Sequence, residues 1–440
     1  MANQFLNAQE YANVMLLLLK NQLVFGRLVD GQFKDQVTDE NGLIINVKRP
    51  PRFVATSGAT LQAQDLLTGN MFVSVTQYKN VHISVGDLEY VQSFNVLMQN
   101  ETMKSAASTL AHDVDKYIAG LTLGFNGWIA GTAPGTISGN ASDPTKMIAS
   151  PSQAMAAHTR LMANGCPNAD LSAVVSFDDG QSIRGSLLSD FTPDINRSML
   201  EKVRIPIISE IDWYASQQTP SLTTGSRTQG DGASTGATVN GANQNVSYRN
   251  VAGSGNVDGM TQTFLITGGG ASATIAAGEV FTIEGCYAWD WRQQVKLADL
   301  QQFTVLNAVT LNGSGAGTLT ITPPIIVQGT SDGVNTYGNS AFGTVDSIPV
   351  SGNYIKWAGA ASTVVRVKSA FHKRAIALVS ARLQMPFTGV ASFATDPDTG
   401  IAIRYWRGSD ITTGNHVHRW DMIYGASVMD NFLGTRICGS

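Results

Sequence analysis

The sequence predicts an α+β chain with an all-β module inserted in it. Three observations carry that expectation. An apolar stripe of helical spacing runs through residues 103–121, short strand runs with no helix between them fill residues 222–345, and a strand-rich meander closes the chain.

Residues 7–29 read as a short amphipathic helix and arm, with Met15, Leu18, Leu19 and Leu23 on one face and Gly26 and Gly31 punctuating the exit. The arm by itself cannot bury that face. Its apolar run Val14–Leu19 is six residues long, follows Glu10 and has no basic residue before it, so it reads as neither signal peptide nor membrane span. Residues 42–49 form a strand that Pro50 and Pro51 halt, and Phe72–Tyr78 form a second. Two strands alone are marginal in water, so this excursion must lie on its own body or on a neighbour. Val81, Ile83 and Val85 alternate as a further strand.

The strongest helix signal follows. Met103, Ala107, Leu110, Val114, Tyr117 and Leu121 are spaced 4, 3, 4, 3 and 4 apart, with Ser105, Ser108, Asp113 and Asp115 on the polar side. Asn100–Glu101 can open this helix and Gly124 close it, about 24 residues or roughly 36 Å of spine. Residues 131–151 are rich in Gly, Pro, Ser and Thr and read as a loop. A helix from Pro151 through Met162 and a buried strand at Leu171–Phe177 come next.

At 221 the composition turns to Gly, Ser, Thr, Ala and Asn, followed by strands at Val280–Ile283, Phe303–Val309 and Leu319–Ile321. Such spacing suggests a small sandwich or barrel. Alternation returns after about 350. The end of the chain gives strands at Ala375–Leu383, Val390–Thr395, Ile401–Trp406 and Val417–Tyr424, with Asp396–Gly400 as a turn.

Composition narrows the function. At 440 residues, 43% of them hydrophobic, the chain suits a folded protein of two or three modules. Only 14% of residues are charged, against an ordinary ~25%. So few charges cannot coat a large free surface, which points to a subunit that hides surface against neighbours. The net charge of −4 draws the whole chain neither to nucleic acid nor to anionic membrane. Cys166, Cys286 and Cys438 are odd in number and far apart, which excludes a disulfide framework and fits a reduced compartment.

No chemistry survives inspection. The glycines at 268–270 and at 313, 315 and 317 precede neither Lys-Ser/Thr nor a helix and read as turns. His416 and His418 share a strand face but lack a third ligand, and Asp396 and Asp398 flank a proline in a turn. No catalytic, cofactor or metal residues are expected. Lys48, Arg49 and Arg52, followed by Phe53, make a basic cluster at the start of the excursion. It reads either as a solvated face or as a contact for an acidic patch on a neighbouring subunit, with nucleic acid last.

The order of parts, with particular residues, resembles the major capsid proteins of tailed double-stranded DNA phages, of the P22 type. The resemblance lies in Lys48–Phe53 and Ser57–Asp65, in Asp212–Gln217 and Gly278–Ile283, and in Ala370–Lys373, Asp396–Gly400 and Asp421–Gly425. It implies the HK97 fold. Its parts would be an N-terminal arm (1–41), an extended loop lying on the adjacent subunit (42–80) and a peripheral domain with the spine helix (81–138). The axial domain (139–221 and 346–384), an inserted β-barrel-like domain (222–345) and a peripheral meander (385–440) complete it. Some relatives join a lysine to a neighbour's asparagine, but no motif selects Lys48, Lys79 or Lys104 for that role.

The implied function is structural. Copies would form hexamers and pentamers of an icosahedral shell, built in the host bacterial cytoplasm with scaffolding and portal proteins, expanding on maturation and enclosing DNA touched only through its backbone. A decoration protein is a further candidate partner. The rivals are an encapsulin-like compartment and, on the Gly/Thr-rich middle alone, a tail or adhesin protein. Enzyme function ranks last.

Overall fold

A computed structural model of the chain describes residues 8–33, 43–48, 52–53, 55, 70–86, 101–125, 129–130, 148, 151–187, 205–228, 236–241, 244–246, 260–328, 341–409 and 414–437. They divide into two compact units. The first holds Met1–Val47, Phe72–Gly120 and Ile376–Ser427, the second Lys48–Met71, Leu121–Ala375 and Val428–Ser440.

In the first unit helix α1, Ala8–Gln22, buries Ala8, Tyr11, Ala12, Met15 and Leu19. The apolar face expected of the arm therefore has a partner in its own chain, the strands Val390–Thr395 and Ala402–Ser409. Tyr11 and Tyr405 meet with ring centroids 5.2 Å apart. At the far end Lys20 reaches Asp396 (3.0 Å) and Asp398 (2.5 Å) in the turn between those strands. Helix α2, Met103–Leu121, is the expected spine; Met103, Ala107, Leu110 and Val114 are buried, while Tyr117 and Leu121 are half-buried.

One residue assigned to the polar side of α2 sits elsewhere. Asp115 is buried and accepts hydrogen bonds from the backbone of Val24 (2.7 Å) and Gly26 (3.0 Å). These amides open the short helix Phe25–Leu28, whose first N–H groups lack partners within the helix, and Asp115 supplies one from across the unit. Burial pushes its carboxyl up to about 6, even though the backbone donors favour the ionised form.

The sheet of this unit runs in the order Ile376–Ala381, His416–Val428, Ala402–Ser409, Val390–Thr395, with Gln77–Val85 also paired to the long strand. The two runs read as Phe72–Tyr78 and Val81–Val85 are split differently in the structure. A pair of strands, Ile44–Lys48 and Asn70–Ser74, stands at the excursion's root, and a nine-residue strand, Gln77–Val85, aligns against Tyr424–His416. Long-range pairing drew the boundary. At Gly425 a Cβ would lie 2.0 Å from the Ser74 carbonyl oxygen, so only glycine allows that approach.

The second unit contains a mixed five-stranded sheet. Its order is Ile129–Ala130, Gly434–Ile437, Lys368–His372, Leu171–Val175, Asp212–Ala215. Helices α3, Pro151–Ala163, and α4, Phe177–Leu187, contribute Ala154, Ala157, Leu161, Ile183 and Leu187 to its core. Buried Lys368 pairs with Asp179 at 2.9 Å.

The same unit holds a six-stranded sheet in the order Ile355–Trp357, Val280–Asp290, Val295–Val305, Gly317–Thr322, Gln262–Thr267, Thr238–Val239. Its two end strands meet. Thr238 bridges Tyr354, and Ile355 N–H donates to Ala237 O (2.9 Å), so the sheet closes into a barrel around Phe264, Phe281, Phe303 and Trp357. Of the sandwich and the barrel, the structure has the barrel. The two glycine runs pack against each other: Gly269 N–H donates to Gly315 O (3.0 Å), and Gly315 has φ +73°.

Candidate assembly surfaces

On the strand Ile44–Lys48 the side chains alternate, with Ile45 buried and Ile44, Asn46 and Lys48 outward. Ile44 is 62% exposed, and Phe72 on the partner strand 59%. An outward face with large apolar groups beside a lysine offers more contact area than a solvated basic face needs. Phe53 is exposed as well. Arg49 and the run Ser57–Asp65 lie outside the described residues.

Arg52 is placed differently from Lys48. Its guanidinium lies 4.7 Å from the centroid of the Trp291 ring, 5.7 Å from Phe342 and 5.9 Å from Phe432, and its Nη2 is 3.8 Å from Asp430. Trp291 sits at the tip of the barrel hairpin Val280–Val305, and neighbouring Arg292 donates to the carbonyl of Gly165 just past α3 (2.7 Å). Arg52 is thus held where the hairpin tip meets the five-stranded core. Basic residues close in sequence have different settings: Lys48 faces out, while Arg52 has an aromatic and acidic setting.

The residues tested for chemistry have structural roles. His418 is buried, shares a 2.6 Å hydrogen bond with the Tyr405 hydroxyl, and burial pushes its imidazole down to about 4. Asp396 accepts from Thr399 N–H (3.2 Å) and Oγ1 (2.7 Å) and binds Lys20, which makes it the organiser of a turn. Burial pushes the thiols of Cys166 and Cys286 up to about 12, far from a reactive thiolate. Cys438 lies outside the described residues. Among the described residues no group of three His, Cys, Asp or Glu could hold a metal, and no helix is long and apolar enough to cross a membrane. Of the lysines weighed for cross-linking, Lys79 pairs with Asp113 at 3.2 Å and Lys104 is exposed.

Two features escaped the reading of the sequence. One is the buried pair Arg227–Glu279, with Arg227 4.6 Å above the Trp357 ring and Glu279 accepting from Gly225 N–H (2.6 Å) and Ala276 N–H (2.8 Å). Its partners lie 52 positions apart, beyond any local spacing rule. The other is Phe387, which stands fully in solvent, and the proline before it was the one available signal.

A family model described as P22 coat protein - gene protein 5 matches residues 15–439. Among solved structures the chain is similar to one from Mycobacterium phage Che8, at 12% identity over 94% of this chain and 90% of that one, with a TM-score of 0.43. The capsid of Ralstonia phage GP4 aligns at 6% identity over 100% and 94%, also at 0.43. The CUS-3 coat protein I-domain aligns at 23% identity over 29% of this chain and 97% of that chain, with a TM-score of 0.21. No curated protein matches the chain.

Proposed function

This chain belongs to the P22 coat protein family, and from that membership we propose how one subunit serves the head. The protein is the major capsid subunit of a tailed phage, on an HK97-like fold, and its copies form the icosahedral shell. Its subunits gather as hexamers and pentamers on scaffolding and portal proteins in the host cytoplasm. The shell then expands around packaged double-stranded DNA, which it contacts through the backbone alone. Each subunit straps its neighbour with the excursion, residues 42–80.

The observation that supports the strap most directly is the outward row Ile44, Lys48 and Phe72. The ribbon's inner face, Ile45 and Val73, is buried in its own chain, so the outward apolar groups are the part left for a neighbour to cover. The test is assembly of the purified chain with scaffolding protein, followed by sedimentation and electron microscopy. Closed shells, larger after expansion, are the expected products. Shells that do not change diameter overturn the expansion, and a monodisperse monomer at every concentration and salt overturns assembly by this route.

A further inference from the structure

The loop Arg382–Gly389, between strands Ile376–Ala381 and Val390–Thr395, carries an aromatic side chain that no described residue covers. Phe387 is 107% exposed relative to a free residue, the highest value among the exposed large hydrophobics described, and Met385 and Val390 beside it are also exposed. A loose loop would fold such a ring down. This loop is pinned on both sides instead: Arg404 Nη1 donates to the carbonyl of Gln384 (2.5 Å) and Trp406 Nε1 to that of Thr388 (2.9 Å). Gly389, at φ +85°, lies so close to the next strand that a Cβ would be 2.5 Å from Arg407 O and 2.6 Å from Trp406 Nε1. The fold holds Phe387 out.

Immediately beside this knob lies a cleft of about 660 Å³ lined by Val390, Trp406, Arg407, Val417 and Arg419 among others. The cleft is open to solvent and roomy enough to admit an aromatic ring together with the loop that carries it. Arg419 is tied to Asp421 (2.5 Å), and Arg407 is exposed on the cleft wall. Apart from Arg382 at its start, whose guanidinium lies 5.0 Å from the centroid of the Phe393 ring, the loop carries no charge, and an aromatic face suits a guanidinium.

We propose that Phe387 of one subunit inserts into the Val390–Trp406–Arg407 cleft of a second copy of this chain, as a preformed anchor of the shell. Knob and hole lie side by side on one molecule, so a closed rotation lets every copy both give and receive the contact. A rigid aromatic anchor entering a pocket loses little freedom on binding and so concentrates binding energy. The inference rests on the coat-protein reading, in which copies of this chain abut one another.

The test uses full-length chains assembled with scaffolding. Phe387→Ala and Phe387→Glu leave the urea midpoint of the free subunit unchanged, because no described residue covers the ring, and raise the critical concentration for assembly by about tenfold or more. Co-assembly of Phe387→Cys chains with Ser409→Cys chains, then mild oxidation, gives a two-copy band beyond what either variant gives alone. Normal assembly of both substitutions, or no two-copy band from intact mixed shells, overturns the proposal. Loss of a different protein from shells that otherwise form normally assigns the knob to that protein and overturns it too. Failure of the unsubstituted chain to form shells would instead count against the assembly reading itself.

Discussion

Arg52 brings a full charge into a half-buried aromatic corner, and its neighbours there set what its removal does. Cation–π contacts contribute about 0.5–2 kcal/mol, more when shielded from water. Arg52→Ala should therefore lower the stability of its unit by about 1–2 kcal/mol in urea titration, and Arg52→Lys by less, whereas a merely solvated arginine would leave the midpoint in place. A second pair of residues acts through protons. In the folded state His418 titrates near 4, below its ordinary 6.5, so its contribution is full above pH 6.5 and is lost as the pH falls towards 4. Asp115 titrates near 6, above its ordinary 3.8, so its contribution is present below pH 3.8 and is lost as the pH rises through 6. Between pH 4 and 6 the two slopes, each about 1.4 kcal/mol per pH unit at most, oppose each other. In Asp115→Asn the stability relative to wild type should climb with pH across that window; in His418→Gln it should fall. Parallel pH profiles for variant and wild type would refute the assigned shifts.

At the scale of elements, what was legible followed local periodicity. Of the stripe Met103, Ala107, Leu110, Val114, Tyr117 and Leu121, the first four are buried and the last two half-buried on helix α2. Strands of the closing meander were likewise marked by their turns. Pairing partners were not legible: nothing near residue 77 announces that Gln77–Val85 continues unbroken against a strand more than 300 positions later, as Gln77 meets Tyr424 and Val85 meets His416. Asp115 was misplaced for the same reason, since its position on the helix reads as polar surface until Val24 and Gly26 arrive from another element. The assembly surface divides the same way. The basic cluster could be seen, but only the fold separates outward Lys48 from clamped Arg52. For the excursion this yields a prediction about a whole face: Ile44→Lys with Phe72→Glu should leave a folded, soluble subunit by circular dichroism and melting, and should cut shell yield severalfold. Undiminished yield would show that this face stays in solvent in the shell.

For the whole molecule, the question is where one folding unit ends and another begins. The composition shift marks residues 222–345, but the barrel needs chain beyond that point. Ile355 and Trp357 lie on the strand that closes it, both essentially fully buried, with Trp357 packed against Phe281 at 5.1 Å and beneath Arg227. Beyond them, Leu222 pairs with Val365 and Ser221 with Arg366, which brings the entering and leaving chain together as neighbouring strands. Such adjacent ends are what lets a domain be inserted in another without straining either. Losing a buried tryptophan alone costs about 3–5 kcal/mol, comparable with the entire stability of a small domain, and here it would also uncover the Arg227–Glu279 pair. A fragment of residues 220–367 should therefore melt cooperatively with a strand-rich circular dichroism spectrum, while a fragment of residues 222–345 should be unfolded or several kcal/mol weaker. If the shorter fragment melts at the same temperature as the longer, closure through Ile355–Trp357 contributes nothing to the barrel. If neither folds, the barrel depends on the surrounding unit, and its contacts to Phe125 and Arg436 become the place to look for that support.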